Sequence, residues 1–242
     1  MNANTIKFIA CVCMLIDHIG AYLFPGVTLL RAIGRISMPL FAFFIGEGCR
    51  HTSHRLRYFL RVFVLGALCQ AVFTAVEIIS GDFNSVYLNI LFTFSLSIIL
   101  CYSWLRLEDS IKSKDNIRIT VNAVSFAVLI ALAFIFELFC NYSRKLIGIT
   151  VTLDYGILGV LLPLSAVIFA DKKDKFTSFT VASVIFALYR AQFTWYSCLS
   201  LLSLPILALY NGKRGSSRFK YGFYVFYPVH LAAIYLTRIL FM

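Results

Sequence analysis

FIACVCMLIDHIGAYLF, residues 8–24, is the stretch whose reading decides the fold. It is apolar throughout except for Asp17 and His18. A bilayer core about 30 Å thick needs roughly 20 apolar residues of helix to cross it. The run follows a single lysine, Lys7, and ends without a clean small-x-small cleavage site. It therefore reads as a retained membrane helix and not as a removed signal peptide. Working outward, further runs lie at 28–49, 58–79, 86–105, 119–140, 149–170, 177–190, 193–210 and 221–241, the seventh of the nine being short and ending at Arg190. Eight or ten spans are the alternatives. The connections are short, and no linker or soluble insertion separates the runs. The expected fold is an all-α polytopic membrane bundle of about nine transmembrane helices, one domain over 1–242.

Composition agrees. Of 242 residues, 60% are hydrophobic and 14% charged, against about 45–50% and about 25% in soluble domains. Phe supplies 24 residues and Tyr 13, which suits lipid contact and interfacial belts. The net charge of +11 lies between the apolar runs, so it points to membrane topology and not to nucleic acid. The seven cysteines form no disulfide framework. Cys11 and Cys13 sit about 200° apart around a helix and cannot share a metal ion.

Orientation follows from lysine and arginine in the short loops. With the N-terminus cytoplasmic, 16 of these residues fall inside and 4 outside, Arg218 and Lys220 among the inner ones. Arg31 and Arg35 remain within the second run. The split predicts a cytoplasmic N-terminus.

Ionisable side chains inside a bilayer are costly, about 2.5–3.5 kcal/mol each on insertion scales, and mark functional sites by default. Asp17, His18, Arg31, Arg35, Glu47, Asp154 and His230 form that set here. Lys7 and His18 share a helix face and are separated by about 16 Å of rise. That length resembles the reach of an extended pantetheine arm. A basic residue at the membrane surface could hold coenzyme A phosphates while the histidine meets the thioester. His230, about 15 Å into the last run counted from Lys220, reaches a similar depth. Tyr227 lies one turn below it, and Pro228 kinks this helix. Arg31 and Arg35 share one face of the second helix, where Asp17 or Asp154 could pair with them. Asp17 and His18 point about 100° apart and so do not bond each other. Asp17 is expected to hold an arginine or to contact His230. A neutral imidazole at mid-membrane can accept a proton from an amine or hydroxyl. Arg35 or Tyr227 could donate to an oxyanion. Each residue also has a structural explanation: ion pairs for Arg31 and Arg35, a kink for His230, and inner-surface charge for Arg50, Arg55, Arg57 and Arg61. Gln70, Glu77, Asn89 and Glu137 read as interhelical or interface residues.

MLIDHIG at 14–20, LRAIGRISMPLFAFFIGEGCRHT at 30–52, RYFLRVFVLG at 57–66, LDYGILGVLLPL at 153–164 and FYVFYPVHLAAIY at 223–235 together resemble the TraX family of membrane acetylases. The likeness covers most of the chain in order. A more distant similarity is to membrane acyltransferase family three, where a basic residue, ten others and a histidine open the first span, as Lys7 and His18 do here. FAFFIGEG at 41–48 departs from that family, with Glu47 where a serine stands, and RYFLR at 57–61 spaces its arginines one residue wider. The resemblance implies acetyl transfer from acetyl-coenzyme A, with no metal, in a bacterial cytoplasmic (inner) membrane. His18 is the prime catalytic residue it implies, with Asp17 and His230. Lys7, Arg50, Arg55, Arg57 and Arg61 are candidates for the coenzyme. Arg31, Arg35, Glu47, Tyr227 and Asp154 are candidates for the substrate or oxyanion. The implied partners are membrane lipid and a peptide or glycan acceptor, with no nucleic acid. A proton-coupled secondary transporter and a non-catalytic assembly factor are the alternatives, the former weakened by the lack of a repeat.

Overall fold

The computed structural model describes residues 1–79, 85–216 and 222–241, the side chain of Phe241 excepted. Arg218, Lys220 and the first residue of the run at 221–241 lie outside the described residues. The helices are α1 (Ala3–Tyr22), α2 (Thr28–Gly34), α3 (Ser37–His51), α4 (Arg55–Ile79), α5 (Ile90–Ser113), α6 (Asn116–Ile147), α7 (Gly156–Ser165), α8 (Lys172–Ala191), α9 (Ser203–Ala208) and α10 (Gly222–Phe241). A 3-10 helix, η1 (Trp195–Leu202), precedes α9, and two short strands are β1 (Ser85–Leu88) and β2 (Thr150–Leu153).

Six helical segments among the described residues are long and apolar enough to cross a membrane: α1, α2 with α3, α4, α5, α6 and α10. The other three sequence runs fall on shorter or more polar segments. α7 has 10 residues, and α8 opens on Lys172, Lys173, Asp174 and Lys175. The segment from η1 through α9 compensates in pitch. At about 2.0 Å per residue the 3-10 part helps it reach about 25 Å, more than an α-helix of equal length.

By internal contacts the chain forms two compact units, Met1–Phe44 with Phe179–Met242, and Ile45–Ser178. In the first, α1 packs on α2 and α10, and α2 packs on η1. Asn2 starts α1, its side chain accepting from the Thr5 N–H at 3.0 Å. The second predicted run is not one helix. Its chain turns at Arg35 and Ile36, whose N–H groups take the tighter bonds to Ala32 and Ile33, both 3.2 Å. Pro39 explains the break: it has no N–H to continue the ladder, and it is tolerated only because it sits in the first turn of α3. The Ser37 hydroxyl donates to the Gly34 carbonyl at 2.8 Å.

In the second unit, α5 packs against α4, α6 and α7 around Leu100, Cys140, Leu153 and Val160. Gln70 and Asn89 do form an interhelical bond. Asn89 Nδ2 donates to Gln70 Oε1 at 3.1 Å and to the Gly66 carbonyl at 2.9 Å, while its Oδ1 caps α5 through Leu91 N–H. The all-α expectation holds for the fold class, with one addition among the described residues, a pair of four-residue strands. The runs at 86–105 and 149–170 begin as strands, SVYL and TVTL, paired in parallel with Ser85 opposite Thr150 and Leu88 opposite Leu153. Their alternating valine, threonine and tyrosine favour a pleated edge over a helix start. Apolar content alone does not distinguish the two over four residues.

Candidate functional site

The first and last described helices meet at a pair of histidines. His18 Nδ1 lies 2.8 Å from His230 Nε2, and His230 Nδ1 lies 2.7 Å from the Phe226 carbonyl oxygen. A carbonyl can only accept, so His230 carries its proton on Nδ1. Its Nε2 is then a lone pair, and His18 must donate to it from Nδ1. The remaining lone pair of the chain is His18 Nε2. Backbone, His230 and His18 thus form a relay that fixes both tautomers, the arrangement by which a second group orients a catalytic imidazole.

Packing holds the rings in place. Phe226 stacks on His230 with centroids 4.7 Å apart and planes 10° from parallel, and Tyr227 meets it edge-on at 5.8 Å. His18 faces Tyr22 at 6.1 Å, and Tyr22 packs against Tyr235 at 5.1 Å. His230 is buried, 4% exposed, and His18 is half-buried.

Asp17 takes the first of its two expected roles. Its Oδ2 pairs with Arg31 at 2.8 Å, and Arg31 also donates to the Asp17 carbonyl at 3.1 Å. It does not bond His18. The pair needs α1 and α2 very close, and Gly34 allows this: a Cβ there would sit 2.2 Å from Asp17 Oδ1. Arg35 stacks its guanidinium over Tyr196, 5.5 Å from the ring centroid. Both arginines stand at the C-terminal end of α2, where the helix dipole favours cations. Lys7 is half-buried, its ammonium 5.2 Å from the Phe44 centroid and 5.9 Å from that of Phe223.

The other expected site residues belong to the second unit. Glu47 is buried and pairs with Lys175, with His51 Nε2 3.5 Å away. Arg50 binds both oxygens of Glu108, at 2.9 and 3.3 Å, and donates to the Val167 carbonyl just past α7. Arg55 is 3.5 Å from Asp109 and 5.5 Å from the Tyr102 ring. Arg57 is exposed, and its carbonyl accepts from Arg61 Nε at 3.0 Å. Asp154 accepts from the Tyr87 hydroxyl, and of the two expected acidic partners it is Asp17 that pairs with Arg31. Sequence reasoning missed Lys175, Glu108 and Tyr196. It also missed the Phe226 carbonyl, although the spacing of four residues from His230 carries a signal for it. Among the described residues no group of His, Cys, Asp and Glu could hold a metal ion.

Comparison with known proteins gives the family. The TraX protein family matches residues 2–238. A protein of Dichelobacter nodosus named as a probable fimbrial assembly protein FimC, serogroup H1, is 26% identical over 262 residues, covering 96% of this chain and 94% of its own. The uncharacterized protein RP591 of Rickettsia prowazekii (strain Madrid E) is 56% identical over 43 residues, 18% of this chain and 17% of its own. No solved structure matches significantly.

Proposed function

The chain belongs to the TraX family, and from that premise we propose that it is an integral membrane acetyltransferase of a pilus-bearing type. It moves an acetyl group from cytoplasmic acetyl-coenzyme A to an amine or hydroxyl acceptor, in a bacterial inner membrane. The single observation that carries this reading is the 2.8 Å contact between His18 and a His230 already anchored to backbone. A general base needs one unengaged lone pair and a partner that stabilises the proton it gains. His18 Nε2 supplies the first and His230 Nε2 the second.

The chemistry then runs as follows. The acceptor's N–H or O–H proton passes to His18 Nε2 as its heteroatom bonds to the thioester carbonyl carbon. The positive charge on His18 is shared through Nδ1 with His230. The carbonyl oxygen becomes an oxyanion, for which Arg35 and Tyr227 are the donors proposed. The intermediate collapses, the C–S bond breaks, and the coenzyme sulfur leaves with the proton from His18. The products are the acetylated acceptor and free coenzyme A. Lys7, about 16 Å along α1 from His18, meets the phosphate end of the donor. Asp17 acts indirectly, by holding Arg31. Incubating the purified full chain in liposomes with labelled acetyl-coenzyme A and an amine-bearing peptide tests the proposal. Label transferred to the peptide, and lost in His18→Ala, supports it. No transfer and no coenzyme binding defeats it. Proton flux without coenzyme A would instead make the protein a carrier.

A further inference from the structure

A cavity of about 180 Å³ lies in the second unit between Glu137, Cys140 and Asn141 of α6 and the strand β2. It has room for about six waters at about 30 Å³ each, the scale of a small polar headgroup and not of a drug-sized ligand. Glu137 is the one acidic residue in the apolar run of α6. One side of its carboxylate has a structural explanation. Oε1 lies where a Cβ on Gly156 would come within 2.7 Å of it, Gly156 has φ +58°, and the Ile157 N–H at the start of α7 acts on the carboxylate. Oε2 has none. It is fully buried and has no hydrogen-bond partner. A buried carboxylate oxygen without a donor is a standing cost that a cationic donor relieves.

We propose that this cavity binds the primary ammonium of an ethanolamine lipid headgroup. Its position along α6 favours lipid as the source. α6 is about 48 Å long, so it overruns a bilayer core of about 30 Å. Glu137 stands near the end of the apolar stretch. Just beyond come Tyr142, Arg144 and Lys145, with Lys145 5.8 Å from the Tyr142 ring, the pattern of an interfacial belt. The neighbours of Glu137 on the helix, Leu138 and Phe139, are 56% and 36% exposed, a surface suited to acyl chains. Arg144 lies seven residues on, within about 20° of the Glu137 face and about 10 Å higher, within a side chain's reach of a phosphate bound above the ammonium. The ammonium pairs with the Glu137 carboxylate, which lines the cavity. Thr150 and Asn141, which also line the cavity, offer oxygen acceptors for its other N–H groups. A choline headgroup has no N–H to donate.

Native mass spectrometry of the full chain, with phosphatidylethanolamine, phosphatidylcholine and phosphatidylglycerol of matched acyl chains added singly, tests this. Retention of the ethanolamine lipid at least about tenfold above the choline lipid is expected, the discrimination one charge-assisted hydrogen bond supplies. Glu137→Gln should lower it to the choline level. Because Glu137 also supports the start of α7, Thr150→Leu is the companion variant: it fills the cavity without touching that contact and should abolish the preference. Equal retention of the two lipids overturns the proposal, as does a preference that survives either variant in folded protein. Binding of free phosphoethanolamine with no preference among lipids would assign the cavity to a soluble amine and overturn the lipid assignment.

Discussion

Replacing His230 with alanine removes the acceptor of the His18 Nδ1–H. The ring of His18 is then free to turn or change tautomer, and the proton it gains at Nε2 is no longer shared. A hydrogen bond to a neutral group is worth about 1 kcal/mol net, and one to a charged group up to about 3. The second figure applies as the imidazolium forms. The turnover rate should therefore fall between about fivefold and about 150-fold. The KM for acetyl-coenzyme A should hold, because Lys7 lies about 16 Å away along α1. His18→Ala removes the base itself and should cost about 10²–10⁴ in rate. The double variant is the decisive measurement. With His18 absent, His230 has nothing to orient, so the pair together should be no slower than His18→Ala alone. The assay is transfer of labelled acetyl groups to an amine-bearing peptide by reconstituted protein. If His230→Ala retains more than half the rate, or if the two losses multiply in the double variant, the histidines do not act as one relay.

Gly34→Ala should lower the melting temperature by an amount matching about 1–3 kcal/mol of overpacking, because its new methyl meets Asp17, whereas Gly26→Ala, with nothing within 4 Å, should leave it unchanged. Equal melting of the two would mean α1 and α2 are not held that close. Glu47→Gln should destabilise by about 3–5 kcal/mol through an uncompensated Lys175, and adding Lys175→Met should restore most of it; chemical unfolding of the three proteins compares them. Asp171 is held below the ordinary carboxylate range by N–H groups of Lys173 and Asp174. A depressed carboxylate stabilises above the unfolded value and loses that support as pH falls through the folded one. The amide signals of those two residues should therefore titrate below the usual aspartate midpoint of about 3.9 in NMR, and a midpoint at or above it would discard these two contacts.

Much of the site was legible because periodicity sets depth. The rise per residue put His18 and His230 at similar heights, and the angle between neighbours separated Asp17 from His18, as found. What no period reveals is which distant side chain fills a given place. Nothing near Glu47 in sequence identifies Lys175, and nothing near Arg50 identifies Glu108, since those pairs form across helices that only tertiary packing brings together. The strands β1 and β2 were hidden for another reason: four apolar or β-branched residues beside a long apolar helix look like its first turn. Pro39 was visible throughout, but its effect on Arg35 required knowing where α3 begins.

The two imidazoles are 212 residues apart in the chain. At roughly 5–20 residues per second of synthesis, the later one emerges about 10–40 s after the earlier. Until then His18 lacks the partner that fixes its tautomer. On the proposed mechanism, a product truncated before α10 should lose at least the about fivefold to 150-fold in rate expected of His230→Ala.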